Sequence, residues 1–140
     1  MPSYETTRFG QIEVEEENIL TFPGGPLGFQ TLTKWTFIDE TRCAPFRMLQ
    51  SLDDGAVAFI MVDPLTSYPD YEFNLTPEDL FYIGARSVDE VIVFCMITIA
   101  PKVSEVTINL QGPFVINPAK AIGHQFILFD TEYNTRHPVL

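Results

Sequence analysis

Short runs of β-branched and aromatic residues recur along the chain, and Gly, Pro, Asn or Asp residues separate them. Runs of this composition are typical of β-strands, and the separating residues are typical of turns. The pattern predicts strands at residues 9–14, 19–22, 35–38, 46–52, 56–62, 91–99, 106–110, 114–117 and 125–129. Between the fourth and fifth of these strands, Asp53-Asp54-Gly55 predicts a tight hairpin in which Gly55 has a positive φ.

Two of these runs predict different positions in a sheet. Apolar and polar residues alternate over residues 106–110, which indicates an antiparallel strand with one buried and one solvated face. The run over residues 91–99 is apolar without alternation, so we expect this strand to lie centrally and to be covered on both faces. Cys95 lies in this run and is predicted to be a small core residue.

One short helix is predicted after residue 76. Thr76 suits the N-cap, Pro77 the first helical position and Gly84 the end of the helix. Ser87-Val88-Asp89-Glu90 repeats the capping-box pattern and predicts one further helical turn. Because strands and helices do not alternate, the predicted fold is all-β and mainly antiparallel, either a small partly closed barrel or a two-sheet sandwich with one short helix.

Composition and charge indicate a single domain over residues 1–140 that attracts basic proteins. Hydrophobic residues make up 46% of the chain, which is enough for one core at this length. The net charge of −11 repels phosphate backbones, so direct nucleic-acid binding is not expected. The sequence shows neither a signal-peptide pattern nor an apolar run of bilayer length, so we expect a cytoplasmic protein without membrane contact and with Cys43 and Cys95 reduced.

The common catalytic and metal-binding signatures do not occur in the sequence. It contains no nucleophile elbow, Walker loop, H-E-x-x-H motif or paired C-x-x-C motif. His124 and His137 are the only histidines, and neither has another ligand at metal-binding spacing. We therefore expect a protein that is not an enzyme and that has no catalytic residues, no cofactor and no metal.

The strongest candidate for a binding site is the segment from Asp63-Pro64 to Tyr68-Pro69-Asp70-Tyr71-Glu72. Two prolines end strand pairing and stiffen this segment, so its carboxylates and aromatic rings are expected to face solvent on a rigid loop. Aromatic anchors surrounded by acidic groups suit a basic protein partner. The candidate partner-binding residues are Phe29, Asp63, Tyr68, Asp70, Tyr71, Glu72, Glu13, Glu15, Glu16 and Glu17.

Other interpretations of these residues stay open at this stage. The glutamates from Glu13 to Glu17 could instead protect an edge strand by charge, and Phe29 could pack on Trp35. Asp63, Asp70 and Tyr71 could form the site of a small β-sandwich hydrolase or a carbohydrate-binding module. An oligomer joined through an uncovered strand edge is a third possibility, although we expect a monomer.

Four motifs in order along the chain resemble the flagellar assembly factor FliW family. The resemblance covers the chain from about Phe9 to the C-terminus, and one departure is that Gln30 follows Gly28-Phe29 where the family usually has glutamate. The motifs are Leu49-Gln50-Ser51-Leu52-Asp53, Asp63-Pro64 with Pro69-Asp70-Tyr71, Gly112-Pro113-Phe114-Val115-Ile116-Asn117, and Tyr133 with Arg136-His137-Pro138.

The resemblance implies a non-enzymatic regulator with two protein partners. One is the carbon storage regulator CsrA, a small basic RNA-binding dimer whose repression of flagellin translation the family relieves, acting from beside the RNA surface. The other is flagellin itself. Flagellin occupies the factor until secretion lowers its level, and the freed factor then binds CsrA.

Overall fold

The computed structural model describes residues 2–39, 46–102, 105–129 and 131–139, and Cys43 lies outside these ranges. Most of the regular structure in them is β-strand. The strands are β1 Ser3–Thr6, β2 Gly10–Glu13, β3 Leu20–Thr21, β4 Lys34–Ile38, β5 Arg47–Ser51, β6 Ala58–Val62, β7 Ile92–Thr98, β8 Thr107–Ile108, β9 Phe114–Asn117, β10 Ile122–Gln125 and β11 His137–Pro138. The helical segments are α1 Pro77–Tyr82 and the 3₁₀ turns Glu16–Asn18, Pro64–Thr66 and Val88–Glu90.

Seven strands form a closed barrel. Their hydrogen-bonded order is β7-β6-β5-β4-β3-β10-β9, and β9 pairs with β7 to close the ring. The β3–β10 pair is parallel, whereas the other pairs of the ring are antiparallel. Strands β8 and β11 extend the sheet beyond β7, and β1 and β2 form a separate hairpin. The all-β prediction is confirmed in its barrel form, and the barrel is closed rather than partly closed.

The middle of β7 is covered on both faces, as its unbroken apolar sequence predicted, whereas Ile92 at its start is 40% exposed. Phe94 and Met96 pack against a core cluster that contains the fully buried Trp35. Cys95 and Ile97 belong to a second cluster on the opposite face. Alternate residues of a strand point to opposite faces, so one strand serves two cores. Its central position is also confirmed, because it pairs with β6, β8 and β9.

The helix α1 begins and ends where the sequence predicted. The Thr76 hydroxyl accepts from the Asp79 amide at 3.1 Å, and the Asp79 carboxylate accepts from the Thr76 amide at 2.9 Å. Gly84 follows the helix with a φ of 71°, which a residue with a side chain rarely adopts. Leu80 and Ile83 are buried against Val115, so α1 covers the face of β9 opposite Phe114. The further turn predicted at residues 87–90 is the 3₁₀ turn Val88–Glu90.

The conformation predicted for Gly55 is wrong. Its φ is not positive, and the reason for glycine at this position is a close backbone contact. A Cβ atom on Gly55 would lie 2.0 Å from the Glu5 carbonyl oxygen. The Gly55 carbonyl accepts a hydrogen bond from the Thr7 amide at 2.9 Å. The absence of a side chain therefore lets the β1–β2 hairpin approach the barrel.

The bounds predicted for the strand at residues 125–129 are wrong, because the strand begins at Ile122. Phe126 and Leu128 still donate backbone hydrogen bonds to Pro113 and Gln111. The structure has β10 at Ile122–Gln125, and residues 126–129 follow it without strand assignment. Gly123, which the sequence suggested as a break, lies inside β10. A Cβ there would be 3.0 Å from side-chain atoms of Ile116 and Phe22, so glycine leaves room for these two side chains. The chain instead turns before β10, where Ala121 has a φ of 55°.

Candidate functional site

The loop between β6 and α1 is held by hydrogen bonds between its own residues. The Asp63 carboxylate accepts from the Leu65 amide at 2.9 Å and so caps the 3₁₀ turn Pro64–Thr66. The Tyr68 amide donates to the Pro64 carbonyl at 2.9 Å, and the Tyr71 amide donates to the Tyr68 carbonyl at 2.9 Å. Two successive turns therefore fix the direction of each side chain in the loop.

The C-terminal segment fastens this loop from outside. The Tyr68 hydroxyl donates to the Pro138 carbonyl, and the Tyr133 hydroxyl accepts from the Glu72 amide at 3.3 Å. The His137 ring lies edge-on to both tyrosines, with centroid distances of 5.5 Å to Tyr68 and 5.9 Å to Tyr133. Tyr68 is consequently half-buried, and its hydroxyl has a partner within the chain.

Tyr71 is a core residue, so the expectation that it faces solvent is wrong. Only 7% of its surface is exposed, and its hydroxyl donates to the Leu110 carbonyl at 2.7 Å. The turn that begins at Tyr68 directs the Tyr71 ring into the second cluster, where burial of an aromatic ring is favourable. Burial is the main cause that raises the pKa of Tyr71 well above its usual value. It also raises the pKa of the neighbouring Cys95, to about 12.

A groove with an apolar lining runs beside the loop, and we call it the apolar groove. Its volume is about 620 Å³. Leu65, Val88 and Ile92 are 50%, 59% and 40% exposed, which is high for apolar side chains. Exposed apolar groups beside carboxylates suit a partner with both apolar and basic side chains. The lining residues are Asp63, Pro64, Leu65, Tyr71, Glu72, Phe73, Leu75, Val88, Val91, Ile92, Val93 and Phe94.

A second groove, the acidic groove, has a volume of about 730 Å³ and is lined by Glu13, Glu15, Glu17, Asp39 and Arg47 among others. The Arg47 Nε donates to Asp39 at 2.6 Å, and its guanidinium carbon lies 4.2 Å from the centroid of the Phe37 ring. A side-chain hydrogen bond with Glu15, followed by repulsion between the two carboxylates, raises the pKa of Glu17. The one basic side chain of this lining is thus already engaged, and the groove presents net negative charge.

Ile92 lines both grooves, so they adjoin. The structure therefore brings together two sets of predicted residues that are far apart in sequence. Asp63, Tyr71 and Glu72 line the apolar groove, and Glu13, Glu15 and Glu17 line the acidic groove.

Four predicted residues line neither of these grooves: Phe29, Tyr68, Asp70 and Glu16. Asp70 and Glu16 are exposed. Phe29 is half-buried and packs edge-on against Phe59 at a centroid distance of 5.3 Å. The predicted partner of Phe29 was Trp35, but Phe59 lies between them and stacks on Trp35 at 5.3 Å.

The geometry does not favour the hydrolase or carbohydrate interpretation. That interpretation required Asp63, Asp70 and Tyr71 to converge in one concave pocket. Asp63 lines the apolar groove, Asp70 does not, and the Tyr71 hydroxyl is bonded to a backbone carbonyl in the core. Among the residues that the structure describes, no group of three or more His, Cys, Asp or Glu side chains is arranged to hold a metal ion.

Sequence reasoning missed the exposed apolar residues of the site. Leu65 lies in a short turn between a proline and a polar residue, and Val88 lies inside a capping-box sequence. Both positions are in turns, where an apolar side chain has little chance of burial, and this pattern could have indicated their exposure.

Within the described ranges, no helix is long and apolar enough to cross a bilayer.

The chain is similar to known proteins over nearly its whole length. The family model described as FliW protein matches residues 3–139. The flagellar assembly factor FliW of Treponema denticola is 38% identical over 136 residues, which cover 97% of this chain and 92% of that protein. The flagellar assembly factor FliW of Natranaerobius thermophilus is 33% identical over 132 residues, which cover 94% and 87% of the two chains. A crystal structure of the flagellar assembly factor FliW matches with a TM-score of 0.92 and 31% identity, covering 99% of this chain and 96% of that one. The chain therefore belongs to the FliW family.

Proposed function

We propose that this chain is a non-enzymatic cytoplasmic regulator of flagellar assembly that binds CsrA and flagellin. Flagellin occupies the chain while its level is high, and the chain binds and antagonises CsrA when flagellin is secreted. Family membership supports this proposal. The observation that carries it is the pair of adjoining grooves, which places exposed apolar side chains next to a net negative surface.

Charge favours a basic partner such as CsrA. The chain has a net charge of −11, and the acidic groove adds a local concentration of carboxylates. Long-range attraction of this kind raises the association rate, and salt screens it. The acidic residues in this role are Glu13, Glu15, Glu16, Glu17, Asp63, Asp70 and Glu72.

The apolar groove supplies most of the affinity for the partner. A few buried apolar contacts usually supply most of the binding free energy of a protein interface. Leu65 and Val88 are the most exposed apolar side chains of this groove, so they are the proposed anchors. Tyr68 contributes indirectly, because its hydrogen bond to Pro138 holds the loop in place. Tyr71 forms part of the groove wall and is buried in the core. Phe29 is kept as a candidate contact outside the grooves.

Isothermal titration with CsrA from the same cell tests the proposal. The titration is run at two salt concentrations, with and without saturating flagellin. We expect saturable binding that weakens as salt rises and that falls when flagellin is present. Gel filtration of the free chain should give the elution volume of a monomer. Absence of heat together with absence of a complex in gel filtration would overturn the proposal.

Asp70→Lys separates the charge contribution from folding. Asp70 is exposed, and its carboxylate makes no hydrogen bond within the described residues. The substitution should weaken CsrA binding and reduce its salt dependence while the melting temperature stays nearly constant. Asp54→Lys is unsuitable as the control because the Asp54 carboxylate accepts from the Ala56 amide. Glu105→Lys is a better matched control, since Glu105 is exposed like Asp70 but lies outside the loop between β6 and α1.

A further inference from the structure

The segment after β10 continues as one edge of the sheet. The Phe126 amide donates to the Pro113 carbonyl at 2.9 Å, and the Leu128 amide donates to the Gln111 carbonyl at 2.8 Å. The Gln111 side-chain amide also donates to the Leu128 carbonyl at 3.2 Å. Residues 126–129 therefore run antiparallel to residues 111–113, and the amides of alternate residues, Phe126 and Leu128, make the hydrogen bonds between the two segments.

The other backbone groups of this segment are free. In an antiparallel pair, successive residues direct their N–H and C=O groups to opposite sides. The N–H and C=O groups of Ile127 and Phe129 face away from residues 111–113. Among the described residues, none of these four groups has a hydrogen-bond partner. A free edge of this kind is a template for pairing with another strand.

A groove of about 540 Å³, which we call the edge groove, lies between this segment and residues 72–75. The amides of Phe73, Asn74 and Leu75 also donate to no acceptor in the described part of the chain. Phe129 is 81% exposed. Two stretches of backbone with unused hydrogen-bonding groups therefore border one groove, which is the arrangement that an added strand would complete.

Charge identifies the kind of strand. The Glu72 and Asp79 carboxylates line the edge groove, and its lining contains no lysine or arginine. The same lining contains the apolar side chains of Phe73, Leu75 and Phe129. A second copy of this chain would bring a further net charge of −11 against these carboxylates, which disfavours self-association through this edge.

We infer that the edge groove binds an extended peptide segment of a partner, with alternating basic and apolar side chains, as a strand added beside residues 126–129. Backbone hydrogen bonds to Ile127 and Phe129 supply the pairing, and side chains on one face of the peptide contact Glu72 and Phe129. This docking surface is distinct from the apolar groove, although Glu72, Phe73 and Leu75 line both. The inference does not depend on the identity of the partners proposed above.

The test uses a synthetic peptide of about seven alternating lysine and valine residues, long enough to span such an edge. A matched peptide carries an N-methyl group on every backbone nitrogen, so it has the same charge but no backbone donors for pairing. Binding is followed by fluorescence polarisation, and amide exchange is followed by NMR. We expect saturable binding of the first peptide, affinity at least about tenfold lower for the methylated peptide, and new protection of the Ile127 and Phe129 amides.

Ile127→Pro removes one free donor without removing a hydrogen bond inside the chain. It should reduce peptide affinity at least about tenfold, whereas Leu27→Gln, at an exposed position that lines none of the three grooves, should leave it unchanged. The comparison of the two peptides on the unaltered chain keeps the test valid if Ile127→Pro does not fold. Lack of saturable binding, equal binding of the two peptides, or protection confined to the apolar groove would each overturn the inference.

Discussion

The apolar groove and the acidic groove meet at Ile92, but they are built from different parts of the fold. The walls of the apolar groove include Tyr71, which is also a core residue with 7% exposure. The acidic groove also has buried barrel residues in its lining, but its glutamates are exposed and lie at the end of β2 and just after it. These glutamates are Glu13, Glu15 and Glu17. A glutamate of the acidic groove can therefore be changed without altering the core packing, whereas Tyr71 cannot.

This difference separates three quantities that a binding measurement can mix. Changes in the walls of the apolar groove affect folding, changes in its exposed apolar side chains affect affinity, and changes in the acidic groove affect association rate. The following predictions test this separation, beginning with the largest effect.

Tyr71→Ala should lower the free energy of unfolding by about 3 kcal/mol, because it leaves a cavity in the second cluster and removes the donor to the Leu110 carbonyl. Urea denaturation at equilibrium measures this change. Tyr71→Phe keeps the ring and should cost about 1 kcal/mol. Glu15→Ala, in the acidic groove, should leave the denaturation midpoint unchanged. A large loss of stability in Glu15→Ala would remove the proposed distinction between the grooves.

Leu65→Gln should weaken CsrA binding at least about tenfold at both low and high salt, since lost apolar burial is insensitive to screening. Leu65 is 50% exposed, so the melting temperature should stay nearly constant. Leu27→Gln is the matched control, because Leu27 is 66% exposed and lines neither groove. Equal losses in both variants would mean that the apolar groove has no special part in affinity.

The double variant Glu15→Gln with Glu17→Gln should slow association with CsrA about threefold at low salt and leave the dissociation rate unchanged. Stopped-flow fluorescence at several ionic strengths measures both rates. The difference from the unaltered chain should disappear as the Debye length shortens. A change confined to the dissociation rate would place these carboxylates inside the interface instead.

The smallest expected effect concerns pH. The pKa of Glu17 is raised, so Glu17 takes up a proton at a higher pH than an ordinary glutamate does as the pH falls. Between pH 7 and about pH 5, the association rate should therefore decline slightly, and the decline should be smaller in Glu17→Gln. A matched decline in Leu65→Gln would be expected, because that variant keeps the glutamates. An identical pH profile in Glu17→Gln would show that Glu17 is not the titrating group.

The sequence predicted those strands whose own composition decides their structure. Residues 35–38 and 114–117 are dense in aromatic and β-branched residues, and their strands match the predicted bounds to within one residue. β1 is only four residues long and includes Ser3 and Glu5, and β11 consists of His137 and Pro138, so neither has the run of β-branched and aromatic residues that predicts a strand. Their pairing comes from tertiary contacts that no local pattern encodes.

The candidate site was predicted in part for the same reason. Carboxylates are exposed almost wherever they occur, so Asp63, Glu72 and the glutamates after β2 could be chosen from sequence. The burial of Tyr71 depends on the direction set by the preceding turn. The contribution of Ile92 depends on two grooves that meet only in the closed barrel.

The contact between Tyr68 and Pro138 has a consequence for the timing of synthesis. The two residues are 70 positions apart, and Pro138 follows all seven barrel strands in the sequence. Because a chain is made from its N-terminus, the barrel strands leave the ribosome before the segment that fastens the loop beside the apolar groove. The loop is therefore completed only after the barrel strands have emerged, when Tyr133 and Pro138 become available to hold it.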